Sequence, residues 1–140
     1  MMNICQDCGA VDTGNGTCRE LFESFLALEF TDPAYGEVHF FTVATYMIQH
    51  YRYTQDALEW ICRNMRASLK GERSIQNIRD DEARSKITGI RILRSPEDPP
   101  LLRVTWKMKI ADVAEQYDGA TGYCSLIRQW ADSTLQQVGY

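Results

Sequence analysis

The 140-residue sequence lacks the short motifs that mark common catalytic and nucleotide-binding sites. It has no glycine-rich phosphate-binding loop, no nucleophile elbow and no helical metalloprotease motif. It also has no internal repeat and no low-complexity segment. These absences exclude the enzyme classes that such motifs identify. The sequence therefore indicates a fold and a metal site more readily than a reaction.

Long hydrophobic runs are absent as well. The most apolar stretches, residues 21–30 and 38–48, are short and interrupted by polar and charged side chains, so neither could span a bilayer. The first residues carry neither a basic patch with an apolar run nor a small-residue cleavage site, and no secretory signal is visible. We therefore expect a cytoplasmic protein without a membrane partner.

Basic residues are scarce in the first 62 positions, which hold 2 basic and 9 acidic side chains, a net charge of −7. Residues 63–94 hold 9 basic and 4 acidic side chains, a net of +5. Only this middle segment would attract an anionic partner. It has no interleaved aromatic residues, however, and it includes three consecutive acidic residues at 80–82. This pattern favours a solvated helix face or a loop over a nucleic-acid site.

The sequence does contain enough apolar residues for one globular domain. Hydrophobic residues make up 44% of the chain, and a chain of this length can bury a core without disulfides. Apolar residues recur at spacings of three and four in segments that predict four amphipathic helices, over residues 19–30, 34–50, 54–69 and 123–138. Asp32 is suited to cap the second of these helices, with Pro33 in its first position.

The remaining segments predict shorter elements. Residues 74–84 and 110–115 fit short helices, and the glycines at the ends of residues 119–122 indicate a loop. Residues 87–93 and 101–106 have strand-like composition, and residues 89–93 could pair with residues 101–106 as a short two-stranded ribbon. The expected fold is mainly α, a single domain over residues 1–140, in which a knuckle of residues 1–18 packs on a helical hairpin of residues 19–50.

Three of the five cysteines lie within the first eighteen residues. The two-residue spacer between Cys5 and Cys8 allows both sulfurs to reach one ion, and Gly9 permits the backbone turn that such a knuckle needs. Cys18 follows a loop of turn-forming composition. Three thiolates and one imidazole would complete a closed tetrahedral zinc site. The other two cysteines, Cys62 and Cys124, fit small buried hydrophobic residues within helices.

The chain has only two histidines, His39 and His50, and both fall in the second predicted helix. Eleven residues of continuous helix separate them by roughly 16 Å, so one metal ion cannot bind both. Either histidine could be the fourth ligand. The path of the knuckle favours His50, because the loop precedes Cys18 and continues naturally beyond the open end of the hairpin.

The remaining histidine has carboxylates near it in the predicted hairpin. Glu29, Asp32 and His39 could converge at the turn between its two helices. Such a cluster can support a metal ligand, act as a general acid and base, or bind a second metal. The alternative is that Glu29 is an exposed helix-end residue and Asp32 a simple cap.

The order of these residues resembles a family of small, uncharacterised bacterial proteins, known as a domain of unknown function. The resemblance rests on four motifs, Cys5-x-x-Cys8-Gly9-Ala10, Glu29-x-x-Asp32, Val38-His39 and Tyr46-x-x-Gln49-His50, together with Cys18. Ile110-Ala111-Asp112-Val113 and Trp130-Ala131-Asp132-Ser133 are similar to its closing segment. The resemblance implies that the cysteines and both histidines belong to one design, and it implies no activity. Gln6 and Tyr51 stand where members of the family often have proline.

The sequence thus predicts a helical domain with a structural zinc ion and an unidentified protein partner. Cys5, Cys8 and Cys18 would be ligands, with His50 or His39 as the fourth. The alternative is a hydrolase-like metal-dependent enzyme with an open zinc position. Glu29, Asp32 and His39 would then be its acid–base groups.

Overall fold

The structure is a computed structural model that describes residues 3–12, 16–85, 92–99, 101 and 103–140, with the side chains of 83–85 excepted. Helices dominate these residues, and the predicted mainly α fold is confirmed. In chain order they are α1 (Cys18–Thr31), α2 (Pro33–Gly36), α3 (His39–Gln49), α4 (Gln55–Leu69), α5 (Ile75–Ser85), α6 (Ile110–Gln116) and α7 (Gly119–Gln137).

Helix α1 begins with a capping box. The side chain of Thr17 accepts a hydrogen bond from the backbone N–H of Glu20, and the carboxylate of Glu20 accepts one from the N–H of Thr17. These two bonds satisfy backbone donors that a helix start leaves unpaired. They fix the point at which the chain enters α1, and Cys18 is the first residue of that helix.

The second predicted helix, residues 34–50, is in fact two helices, α2 and α3. Asp32 caps α2 as predicted, accepting a hydrogen bond from the N–H of Ala34 at 3.0 Å, and Pro33 occupies the first position. The helix is interrupted after Gly36, whose Cα packs against the end of α1. A Cβ atom at this position would lie 2.8 Å from the carbonyl oxygen of Glu29. The close approach of α1 and α2 therefore requires glycine at the end of α2, and the chain leaves the helical conformation at Val38, with φ −103° and ψ 10°, before α3 begins.

Helices α4, α5 and α6 lie where the sequence predicts them, but α7 begins earlier. Residues 119–122, predicted as a loop, form its first turn. Glycine disfavours a helix by only about 1 kcal/mol relative to alanine. Burial of the following residues, Tyr123 and Cys124, against the core outweighs that cost.

The predicted pairing of residues 89–93 with 101–106 is not formed by the described residues of the two segments. Leu93 instead makes an isolated antiparallel bridge with Tyr53. The flanking bonds run from Thr54 N–H to the Ile92 carbonyl and from Arg94 N–H to the Arg52 carbonyl. Residues 87–91 of the predicted strand lie outside the described residues. The chain before α4, rather than residues 101–106, is thus the partner.

The core is centred on α7, which packs against α2, α3, α4 and α6. Its inward face is fully buried and comprises Tyr123, Ile127, Trp130, Ala131, Thr134 and Leu135. Within the described ranges, no helix has the length and apolar character needed to cross a membrane.

Candidate metal centre

The first cysteines lie in a tight backbone turn. The N–H of Gly9 donates to the carbonyl of Cys5, and the N–H of Cys5 donates to the carbonyl of Ala10, both at 2.9 Å. Gly9 adopts φ +79°, a left-handed conformation that side chains other than glycine rarely adopt. The N–H of Ala10 also points at the Cys8 sulfur, 3.4 Å away. This turn directs the sulfurs of Cys5 and Cys8 to the same side.

Three separate segments bring four donor atoms together. The turn supplies Cys5 and Cys8, the start of α1 supplies Cys18, and the residue after α3 supplies His50. The three sulfurs and one imidazole nitrogen all lie within 4.8 Å of one another. Cys8 is almost fully buried, with 1% of its surface exposed. The structure therefore brings the three predicted thiol ligands together around His50. His39 lies at the other end of α3, away from this group.

The spacing of these atoms matches a tetrahedral metal site. Nε2 of His50 is 3.5 Å from the Cys18 sulfur and 3.7 Å from the Cys5 sulfur. Zinc–sulfur bonds of about 2.3 Å and zinc–nitrogen bonds of about 2.0 Å at tetrahedral angles would separate sulfur from nitrogen by about 3.5 Å. The donor set and its spacing thus fit a small four-coordinate ion.

The imidazole of His50 is oriented from its other side. Nδ1 lies 2.7 Å from the carbonyl oxygen of Tyr46, one turn earlier in α3. A carbonyl only accepts, so Nδ1 carries the proton and Nε2 presents its lone pair to the sulfurs. The ring also stacks on Tyr46, with centroids 3.9 Å apart, and Tyr46 stacks in turn on Phe22 at 3.9 Å. This aromatic column fixes the ring plane against α1.

The thiols influence one another even without a metal ion. The hydrogen bond from the Cys8 thiol lowers the pKa of the Cys18 thiol to about 4. The hydrogen bond to Cys18 and burial raise the pKa of Cys8 above the ordinary thiol range. Clustered thiols thus favour a thiolate at Cys18, and a cation would favour the thiolate form of all three.

The chain after α5 supports the knuckle from outside. The guanidinium of Arg103 forms an ion pair with Asp7 and lies 4.6 Å above the ring of Tyr51. The hydroxyl of Tyr51 accepts a hydrogen bond from the N–H of Val104 at 2.7 Å. Tyr51 follows His50 directly and adopts φ +56°, an unusual conformation for a bulky residue. Residues 103–104 therefore brace both the knuckle and the backbone beside His50.

The second predicted cluster forms only in part. The carboxylate of Glu29 is fully buried and accepts a hydrogen bond from Nδ1 of His39 at 2.8 Å. It also accepts bonds from the hydroxyl of Thr42, at 2.6 Å, and from that of Tyr123. Asp32 does not join this group, since it caps α2. Glu29 is thus neither exposed nor paired with a second carboxylate.

Sequence reasoning missed Thr42 and Tyr123. Thr42 lies three residues after His39 and therefore on the same face of α3. This spacing could have predicted that Thr42 also reaches Glu29. Tyr123 comes from α7, and no spacing in the sequence relates it to Glu29. Burial, together with the nearby carboxylate, raises the pKa of Tyr123, which keeps its hydroxyl protonated as a donor.

Residues 3–139 match the sequence model of a family described as "Family of unknown function (DUF5946)", and the chain therefore belongs to that family. The family resemblance predicted from the cysteine and histidine motifs is confirmed. No curated protein and no solved structure matches the chain.

Proposed function

We propose that this member of DUF5946 is a zinc-binding helical domain in which the metal is structural. The arrangement of Cys5, Cys8, Cys18 and His50 carries the proposal, because four donor atoms from three segments lie within 4.8 Å. A zinc ion there would tie the knuckle to the start of α1 and the end of α3. In zinc-finger peptides, comparable sites contribute about 10–16 kcal/mol of binding free energy, which appears as folding free energy.

Zinc is the proposed ion because of the ligand types. Thiolate sulfur favours zinc, copper(I) or iron–sulfur clusters, and imidazole nitrogen is a common zinc ligand. Three cysteines and one histidine in a tetrahedron are usual for structural zinc sites, which leave no position for water. The near-complete burial of Cys8 is consistent with such a closed site.

The alternative of a zinc-dependent hydrolase receives less support. Four protein donors leave no open position for a reactive water. The proposed acid–base residue His39 begins α3 and His50 follows its end, so eleven residues of largely helical chain separate their backbone positions by roughly 16 Å. The Glu29–His39 pair is therefore remote from the proposed metal.

Metal analysis of protein purified without a histidine tag tests the proposal. We expect about one zinc per chain, as a tetrahedral site would bind one ion. Cys8→Ser and His50→Ala should lose it. His39→Ala and Cys124→Ser, which change a histidine and a cysteine outside the cluster, should keep it. No zinc in the unaltered protein, even after anaerobic purification with added zinc, would contradict the proposal.

Hydrogen exchange before and after chelation tests the structural role. Chelation should increase exchange at residues 3–12 and at the amino-terminal turn of α1, because their tie to His50 is lost. Exchange within α7 should change less, since its buried face does not depend on the knuckle. Unchanged exchange throughout the chain would mean that the metal does not hold the knuckle in place.

We further propose that the knuckle contacts another protein in the bacterial cytoplasm, where reducing conditions keep thiols available for metal. Ile4 and Val11 pair across the knuckle and are 62% and 36% exposed.

A photo-crosslinker at Ile4 should capture a discrete partner in cells, and it should fail to do so in the Cys8→Ser background. A crosslinker at the exposed Gln129 on α7 is the control. Capture of the same partner from both positions would contradict a role for the knuckle, and cell fractionation checks the location.

A further inference from the structure

A cavity of about 270 Å³ opens between α3, α4 and α5, beside the Glu29 cluster. Its walls are largely aromatic and aliphatic and include Phe40, Val43, Tyr53, Trp60, Ile61 and Ile78. The polar groups among the described lining residues belong to His39, Arg79 and Glu82, together with the hydroxyl of Tyr53. Ligand cavities typically combine apolar walls with a few fixed polar groups of this kind.

His39 is the polar group that the fold holds in place. Its Nδ1 donates to the buried carboxylate of Glu29 at 2.8 Å, and Glu29 is held by two hydroxyl groups from α3 and α7. In a neutral imidazole with its proton on Nδ1, Nε2 is an acceptor. Among the described residues Nε2 has no hydrogen-bond partner, and the ring lines the cavity. The fold therefore presents one oriented acceptor to an apolar space.

The two charged groups at the cavity offset one another. Arg79 and Glu82 lie three residues apart on α5, carry opposite charges and are exposed. Among the described lining residues, this pair therefore favours neither an anion nor a cation. A neutral ligand is favoured over a carboxylic acid, a phosphate or an amine.

We propose that this cavity binds a small, neutral, predominantly apolar molecule with one hydroxyl group, and that Nε2 of His39 accepts the hydrogen bond from that hydroxyl. An engineered apolar cavity of about 150 Å³ holds benzene. The larger volume here fits a molecule of one or two rings, such as a substituted phenol. The site is separate from the cysteine cluster and does not depend on the proposed metal.

Phenol and toluene are a matched pair of probes for the test, because they have nearly the same shape and differ in the hydroxyl group. Their dissociation constants are measured on the full chain by NMR titration at pH 8.5. The informative variant is His39→Asn. Its amide nitrogen, attached like Nδ1 to Cγ, can still donate to Glu29, while the Nε2 acceptor is removed.

Both probes should shift resonances of residues that line the cavity. Relative to toluene, phenol should lose about three- to tenfold in affinity in His39→Asn, the range expected for one hydrogen bond. Val43→Trp should fill the space and weaken both probes while leaving the circular dichroism spectrum unchanged. Toluene binding in His39→Asn reports whether the cavity itself survives the substitution.

Three results would overturn the inference. One is the absence of any shift with either probe, which would mean that the cavity is not open to small molecules. Another is an unchanged ratio of the two dissociation constants in His39→Asn, which would remove Nε2 as the acceptor. The third is loss of toluene binding in that variant, which would make His39 a structural residue only.

Discussion

Gln49 donates through Nε2 to the hydroxyl oxygen of Thr134 at 2.9 Å, and both side chains are fully buried. Gln49 is the last residue of α3 and precedes His50, whereas Thr134 lies in α7. The same amide donates to the carbonyl of Met108 at 2.8 Å. The end of α3, and with it His50, is therefore tied to the carboxy-terminal half of the core.

Replacing Thr134 with valine should destabilise the protein by about 1–2 kcal/mol, because it keeps the shape and removes the acceptor of a buried hydrogen bond. Urea denaturation of the zinc-saturated protein measures the change. Thr134→Ser keeps the hydroxyl and is the matched control for the bond. Because Thr134→Val retains the γ-methyl group, unchanged stability of this variant would show that the hydrogen bond contributes no net stability, whereas any loss in Thr134→Ser reports packing of the methyl group.

The five cysteines should fall into two reactivity classes. Burial raises the pKa of the Cys62 thiol to about 12 and that of Cys124 to about 11, so both are poor nucleophiles in the folded protein. Addition of a chelator should make Cys5, Cys8 and Cys18 react with iodoacetamide, and the buried pair should stay protected. Mass spectrometry of the alkylated protein identifies the modified positions.

That experiment also tests how far the metal stabilises the fold. Equal alkylation of Cys62 after chelation would show that α4 opens together with the knuckle. The same sample refolded with added zinc is the control for damage by the chelator. Alkylation of Cys5, Cys8 and Cys18 at full rate before chelation would argue against metal ligation by these residues.

Substitution of Gly9 should weaken the knuckle. At φ +79° an alanine costs about 1–2 kcal/mol, and its Cβ would lie 3.2 Å from Cε of Lys109. If the strain is confined to the metal-bound turn, zinc affinity should fall about five- to thirtyfold. Competition with a chromophoric chelator measures the affinity.

Gln6→Ala is the control for Gly9→Ala, because Gln6 lies in the same turn with an exposed side chain and without a positive φ. Its zinc affinity should match that of the unaltered protein. Equal affinities for all three proteins would mean that the turn relaxes without moving the two sulfurs.

Glu29→Gln should be strongly destabilising, by about 2–4 kcal/mol, since an amide cannot accept from all three surrounding donors. Tyr123→Phe removes one donor and should cost about 1.5–3 kcal/mol, as expected for a hydrogen bond to a charged group. The double variant should be less destabilised than the sum of the two, because both substitutions disrupt the same bond. Additive effects would show that the two groups do not interact, and thermal or urea unfolding of all four proteins supplies the values.

The helices and the thiol cluster could largely be predicted because they follow from local pattern. The spacing of Cys5 and Cys8 and the capping residue Asp32 act over a few positions. The close contact between Gly36, at the end of α2, and the Glu29 carbonyl of α1 could not be predicted. Such a contact depends on tertiary packing and leaves no periodic signal in the sequence.

The contacts of the two histidines also divide into those that the sequence predicts and those that only tertiary packing creates. The path of the knuckle predicts His50 rather than His39 as the fourth ligand, and the structure brings His50 to the sulfurs. Convergence of Glu29 with His39 was predicted from the hairpin, and these residues do meet. The partnership of Glu29 with Tyr123 joins residues 94 positions apart, a contact that only the folded core creates.

The four clustered donors all come from the first 50 residues, whereas the helix at the centre of the core comprises Gly119–Gln137. During synthesis, the complete ligand set leaves the ribosome well before α7 does. A metal ion can therefore meet its ligands while the rest of the chain is still being made. The knuckle, α1 and α3 would then assemble first, and the later helices would pack against them.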